Sequence, residues 1–166
     1  MKLLIIGHGR HGKDTVAEGL VERMPTLSFI SSSVFVAQTV VRRDLEDNGI
    51  NYLTLEDCYE DRANHREFWR ESIARYCTPP ERMAQEILAD HDIYVGMRTR
   101  REFHAARHLF DEVIWVDRTR LLPPEPSCEL RQSDATYYFN NNYGKEDLVH
   151  ELDDLQDYLE RKYDAF

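Results

Sequence analysis

Leu3-Leu4-Ile5-Ile6-Gly7-His8-Gly9-Arg10-His11-Gly12-Lys13-Asp14-Thr15-Val16 is the stretch on which the reading of this chain turns. The apolar run suits a buried strand, and the glycines after it end that strand. Gly7, four residues and then Gly12-Lys13 have the spacing of a phosphate-binding loop. Such a loop works because glycine tolerates positive φ and lets backbone N–H groups converge on an anion. The following helix aims its positive end at the same phosphates. Val16, Ala17, Leu20 and Met24 fall at helical spacing from Lys13 onward, so the strand before and the helix after are both expected. One position departs from the usual pattern: Asp14 stands where Ser or Thr normally follows the lysine, and Thr15 comes one residue later.

A phosphoryl-transfer site needs a donor cradle, a metal and cations on the transferring group, and a kinase also needs an acceptor pocket. Gly9, Arg10, His11, Gly12, Lys13, Asp14 and Thr15 are the expected ATP-binding residues, with Lys13 bridging the terminal phosphates. Thr15 can offer Mg²⁺ a hydroxyl, and Asp14 a carboxylate that binds the metal through water or orients the acceptor oxygen. Asp14 has a plainer alternative as a helix cap. His8 and His11 flank the loop without a Cys or carboxylate partner at ligand spacing, which argues against a metal site built on them.

The 166 residues fit one domain with a single sizeable core, and 42% hydrophobic with 31% charged residues is ordinary for a globular protein. A net charge of −10 argues against a nucleic-acid-coating surface, yet leaves room for a small cationic pocket. No apolar run approaches membrane-spanning length and no secretory signal is expected, so a cytoplasmic protein without membrane partners is the default. Cys58, Cys77 and Cys128 are odd in number and widely spaced, as free thiols in a reducing compartment would be.

Strand and helix patterns alternate, which predicts an α/β fold with a mostly parallel sheet. Further strands are expected at Leu27–Ile30, Asp92–Met97, Val113–Val116 and Tyr137–Phe139. Helices are expected over Val34–Asp47, over a long stretch from Leu55 to Tyr76, from Thr78 as N-cap with Glu81 in a capping box, over Arg100–Leu109, and from Lys145 to about Tyr163. The Pro-rich stretch within 118–133 suits a lid, and 34–91 an acceptor-binding helical region of a single domain over 1–166. Ligands of open parallel sheets bind beyond the strands' carboxyl ends. The loop at Gly7, the serines at Ser31, Arg98 and Asp117-Arg118 should therefore gather on one edge. Among the arginines, placement at strand ends favours Arg98 and Arg118 as catalytic cations over Arg42, Arg43, Arg62, Arg66 and Arg131.

Gly7-His8-Gly9-Arg10-His11-Gly12-Lys13-Asp14-Thr15-Val16-Ala17 resembles the loop of the bacteriophage-type deoxynucleoside monophosphate kinases, in which Gly-Lys-Asp-Thr replaces the more usual Gly-Lys-Ser/Thr. Ser133 to Asn141, closing on Gly144, is similar to that family's last strand and helix, and Trp115-Val116-Asp117-Arg118 to its penultimate strand. The ends of the chain match better than the middle. The resemblance implies a P-loop three-layer sandwich and transfer of the ATP γ-phosphate to a (d)NMP with Mg²⁺, in the host cytoplasm if the chain is phage-encoded; the oligomeric state, including a homodimer, stays open. Arg98 would touch the acceptor phosphate or reaction centre. Ser32, Ser33, Arg42, Tyr59, Arg62, Arg66 and Arg131 are the other acceptor-side candidates; Ser31 to Ser33 have a plainer alternative in capping a helix, and Trp69 is expected in the core before it is expected to stack on a base. Relatives often carry Asp near the strand end that here reads Gly96, so a metal carboxylate comes from elsewhere, Asp14 first, or is absent. The loop leaves two rivals: another small-molecule P-loop kinase, of dephospho-coenzyme A kinase or sugar kinase type, and a non-catalytic nucleotide-binding or NTPase module.

Overall fold

The computed structural model describes residues 1–163. The expected apolar runs pair into one parallel sheet: β1 (Leu3–Ile6), β2 (Phe29–Ser31), β3 (Ile93–Val95), β4 (Glu112–Asp117) and β5 (Tyr137–Asn140), in the spatial order β2-β3-β1-β4-β5. β1 lies at the centre with Leu3 opposite both Ile93 and Glu112. A strand buried on both faces has no polar side to show, which is why Leu3 to Ile6 reads as unbroken hydrophobicity. Alternate residues still serve different layers. Leu3 and Ile5 join Ile114, Val116 and Phe139 in a core closed by Leu152, Leu155 and Leu159. Leu4 and Ile6 join Tyr94 and Trp115 in the larger core on the other face.

The layer beneath Leu3 and Ile5 is made by α1 (Lys13–Arg23) and α8 (Lys145–Tyr163). The opposite layer begins with α2 (Ser32–Val36), a π-helical turn (Ala37–Val41) and α3 (Arg42–Asp47), which together form the single helix expected there. Asn48 caps it, and Gly49 follows at φ 83°. Next come α4 (Leu55–Glu60), α5 (Arg66–Tyr76), α6 (Arg82–Asp90) and α7 (Arg100–Ala106). Helices thus cover both faces of a parallel sheet, the three-layer α/β architecture the sequence predicts.

Two local expectations are corrected. The stretch from Leu55 to Tyr76 is not one helix: a 3₁₀ turn (Asp61–Ala63) divides it. The Asp61 carboxylate accepts hydrogen bonds from Tyr52 (2.7 Å) and sits 3.1 Å from His65 Nε2, and these side-chain contacts turn the backbone. Thr78 does not cap the next helix. Its hydroxyl donates back to the Ala74 carbonyl at 3.4 Å, and α6 starts with Glu81 as N-cap and no side-chain cap bond. Trp69 packs in the core at 5% exposure, against the edge of Tyr59. Cys58, Cys77 and Cys128 are free thiols. Among the described residues no helix is long and apolar enough to cross a membrane.

Candidate active site

The loop from Gly7 to Gly12 leaves the centre of the sheet through a backbone that few side chains tolerate. Gly7 sits at φ 148°, Arg10 at φ 62° and Gly12 at φ 86°. Gly12 is the N-cap of α1, and no side chain caps that helix. Its free N–H groups are therefore left to the loop and to whatever binds there. Asp14 is exposed in the first turn of that helix, where a carboxylate faces the helix's positive end.

Lys13 is 8% exposed, and its ammonium donates to the His8 carbonyl at 2.7 Å. Burial, and then the nearby Arg98 guanidinium, holds this ammonium below the usual lysine range. A lysine in that state gains most from an anion entering beside it.

The neighbouring strand ends supply the rest of the edge. After β3, Gly96 takes φ 102°, its N–H donates to the Ile5 carbonyl at 3.0 Å, and its carbonyl receives the Ser32 hydroxyl at 3.4 Å. Arg98 follows and reaches the Glu125 carboxylate at 2.9 Å and Ser127 at 3.0 Å. After β4, the Arg118 backbone N–H donates to His11 Nδ1 at 3.1 Å. The Arg118 Nε is itself buried without a partner among the described residues. After β5, the Asn141 amide donates to the His11 carbonyl at 2.8 Å, directly behind Gly12. Asn142 donates to the Asp117 carboxylate at 2.7 Å. The predicted gathering of loop, serines, Arg98 and Asp117-Arg118 on one edge is what the structure shows.

The expected lid, within 118–133, lies across this edge through its residues up to Leu130. Its Glu125 accepts from the Gly9 N–H at 2.8 Å, while the Glu125 N–H donates to His8 Nδ1 at 3.2 Å. Burial pushes the Glu125 carboxyl up, but Arg98 and the surrounding hydrogen bonds outweigh it and hold the group below the usual carboxylate range. His11 is fully buried, and burial with the His8 imidazole beside it lowers its basicity. Both loop histidines accept lid amides through Nδ1.

The acceptor-side candidates separate into two sets. Ser31 caps α2, accepting from the Val34 N–H at 3.4 Å, and shares a 3.3 Å hydrogen bond with Ser33. Ser33 in turn reaches the Tyr59 hydroxyl at 3.3 Å, and the Arg62 guanidinium lies 3.9 Å over the Tyr59 ring. Ser32, Ser33, Tyr59 and Arg62 are therefore brought together. Arg42 is committed elsewhere, to Glu46 at 3.0 Å and the Tyr52 carbonyl at 3.1 Å. Arg66 lies exposed at the start of α5, and Arg131 is exposed where the lid ends, its backbone N–H held by Asp134 at 2.7 Å. A separate cleft of about 490 Å³ includes Arg43, Arg75 and Arg82, but the last two are paired with Asp44 and Glu86.

Sequence reasoning did not single out Glu125, His8 as a lid acceptor, or Asn141. Glu125 lies between prolines, and nothing local marks a loop carboxylate that meets a strand end 116 residues away. The run Asn140-Asn141-Asn142 was the available signal for the third.

The residues present fit ATP and Mg²⁺. A carboxylate oxygen already sits on the Gly9 N–H, as a phosphate oxygen would, and the exposed Asp14 and Thr15 side chains offer hard oxygen donors beside it.

No protein family matches the sequence, and no curated protein matches it. Solved structures do. The shikimate kinase from Aquifex aeolicus aligns over 100% of both chains with a TM-score of 0.53 and 13% identity. A shikimate kinase from Bacteroides thetaiotaomicron aligns over 96% of this chain and 98% of its own, with a TM-score of 0.49 and 13% identity. A gluconokinase from Sinorhizobium meliloti covers 98% and 97%, with a TM-score of 0.47 and 14% identity. At such identities the Aquifex aeolicus match is a likeness of fold: this chain has the parallel three-layer α/β fold of that enzyme.

Proposed function

We propose that this chain is a small-molecule phosphotransferase that moves the γ-phosphate of ATP to a nucleoside monophosphate, ribo- or deoxyribo-. The observation that carries the reading is the cradle itself: the Gly9 N–H holds the Glu125 carboxylate as it would a phosphate oxygen, with Lys13 and Arg98 close enough to act on each other's charge. Bound ATP–Mg²⁺ would supply the transferable phosphoryl group and neutralise its charge. Gly9 to Gly12 would hold its phosphates through backbone N–H groups, and Lys13 would exchange the His8 carbonyl for a phosphate oxygen. Arg98, at the mouth of the same cradle, would face charge on the group in transit. Asp14 and Thr15 would take the metal side. Tyr59, Arg62 and Ser33 offer a ring, a cation and a hydroxyl to an acceptor in the helical region. The loop serves the donor and does not choose the acceptor; the nucleotide acceptor is what the resemblance of the chain's two ends to phage-type kinases implies, and the net charge of −10 disfavours a polynucleotide one.

A second reading has its own observation. The chained hydroxyls of Ser31, Ser33 and Tyr59 at the end of β2 suit a small hydroxylated acceptor, and the structural neighbours include a shikimate kinase. One coupled ADP-release assay separates the readings. It is run with ATP–Mg²⁺ against NMPs and dNMPs, hydroxylated acids and a no-acceptor control. Release that depends on a monophosphate, with the diphosphate formed, is expected. Release with hydroxylated acids alone supports the second reading, and release without acceptor makes the chain an NTPase. In the active assay Lys13→Ala should lower turnover by at least about 100-fold, as loss of a donor to a transferring phosphoryl group does. Asp14→Asn should lower turnover more than ATP affinity, and Arg131→Ala should cost less than either.

A further inference from the structure

In this structure the Gly9 N–H, Arg98 and Lys13 of the phosphate cradle are all answered from within the chain. The Gly9 N–H points at Glu125 Oε2 at 2.8 Å, and Arg98 takes the other oxygen, Oε1, at 2.9 Å. Lys13 turns away to the His8 carbonyl. Glu125 lies so close over Gly9 that a methyl group there would collide with its carboxylate. The lid carrying it is seated on the loop at further points: Glu125 N–H on His8, Arg118 N–H on His11, and the Cys128 thiol towards the Gly7 carbonyl at 3.9 Å. A carboxylate and a phosphate present the same ligand to this geometry, two anionic oxygens for a backbone N–H and a guanidinium. They cannot hold the Gly9 N–H and Arg98 together.

We infer that Glu125 is a built-in competitor of the phosphate ligand: its carboxylate takes the Gly9 N–H and Arg98, and a polyphosphate must displace it. The inference rests on the proposed function for the identity of the ligand, but concerns the regulation of that site. On exchange, Gly9 and Arg98 pass from the carboxylate to phosphate oxygens, and Glu125 is released into water with the lid segment around it. The lid is thereby coupled to occupancy. It is seated while Glu125 holds the cradle and loosened by the anion that replaces the carboxylate, so nucleotide affinity is set below what the bare loop would give.

The test uses inorganic tripolyphosphate as probe, with its affinity for the full chain measured calorimetrically. Glu125→Gln keeps size and shape, removes the charge, and should tighten binding about tenfold, in the range of one charge-assisted hydrogen bond. Glu129→Gln removes a lid charge outside the cradle, where the carboxylate holds the Arg100 N–H at 2.8 Å. It should leave the affinity within about twofold. Hydrogen exchange of the amides in 118–131 should rise in Glu125→Gln without ligand, and in the wild type on adding tripolyphosphate. Equal or weaker binding by Glu125→Gln overturns the inference, as does an equal gain in Glu129→Gln, which would make the effect one of net charge. Absence of binding in both wild type and Glu125→Gln also overturns it. If Glu125→Gln binds more tightly while no acceptor supports ADP release, Glu125 stands as the competitor and the kinase reading fails.

Discussion

Gly7 stands where the central strand becomes the loop, and the constraint on it comes from the sheet. A Cβ built at Gly7 would lie 2.5 Å from the Val116 carbonyl oxygen, which is backbone and has no side-chain freedom with which to yield. Its φ of 148° adds strain for any L side chain. Gly7→Ala should therefore push β1 and β4 apart and cost at least about 2 kcal/mol, by analogy with other strained backbone sites. The drop should show in a denaturant midpoint, and a loss below about 0.5 kcal/mol would mean the strand end can shift freely. The same residue shows what was legible at this scale. Glycine and lysine spacing announces itself in sequence because backbone conformation demands those residue types. The partners of the loop do not: His8 and His11 receive lid amides through Nδ1, and an accepting imidazole looks in sequence like any other histidine.

At the scale of elements, periodicity marks which segments bury a face, and fails where side chains redirect the backbone. The helix over Ser32–Asp47 buries Val36, Ala37, Val41 and Leu45, and the π-helical turn Ala37–Val41 brings Val36 and Val41, five positions apart, onto one face. A pattern read at 3.6 residues per turn finds such a helix but not its wider turn. The break at Asp61 lies equally beyond periodicity, because it depends on Tyr52 from outside the helix reaching the carboxylate. The final helix was legible in full, since α8 lays Leu152, Leu155 and Leu159 on the sheet at i, i+3 and i+7. Leu155 is completely buried there. Leu155→Ala should destabilise the chain by about 3 kcal/mol, within the range for buried leucine truncation, measurable by urea unfolding. An effect under about 1 kcal/mol would mean α8 is only loosely docked.

Across the whole molecule the two ends of the sheet do opposite work. The alternation of strands and helices predicts the α/β class, but the order β2-β3-β1-β4-β5 depends on which strands lie side by side, and no local pattern carries that. The carboxyl end gathers the Gly9 N–H and Arg98 around the Glu125 carboxylate, with Lys13 close by. The amino end ties the fold down around Glu112, fully buried at the start of β4. Its carboxylate pairs with Lys162 and accepts from Thr136, Tyr163 (2.7 Å) and Tyr158 (3.1 Å), fastening α8 to the sheet. Burial pushes the Glu112 carboxyl up, but those donors outweigh it and hold it below the ordinary value of 4.5. A carboxyl depressed in the folded state contributes stability above its unfolded value and loses it as pH falls through the folded one. The chain as a whole carries a charge of −10, so acid also relieves repulsion among surface carboxylates. That relief is screened at physiological salt, where the Debye length is about 8 Å, whereas the buried cluster is screened much less. The cluster should win, and stability should fall below about pH 4.5. Glu112→Gln should be less stable at neutral pH yet lose less on acidification, flattening the acid limb of the unfolding midpoint against pH. An unchanged limb would assign acid sensitivity to the other carboxyls held low, Asp92, Asp117 and Glu125 among them.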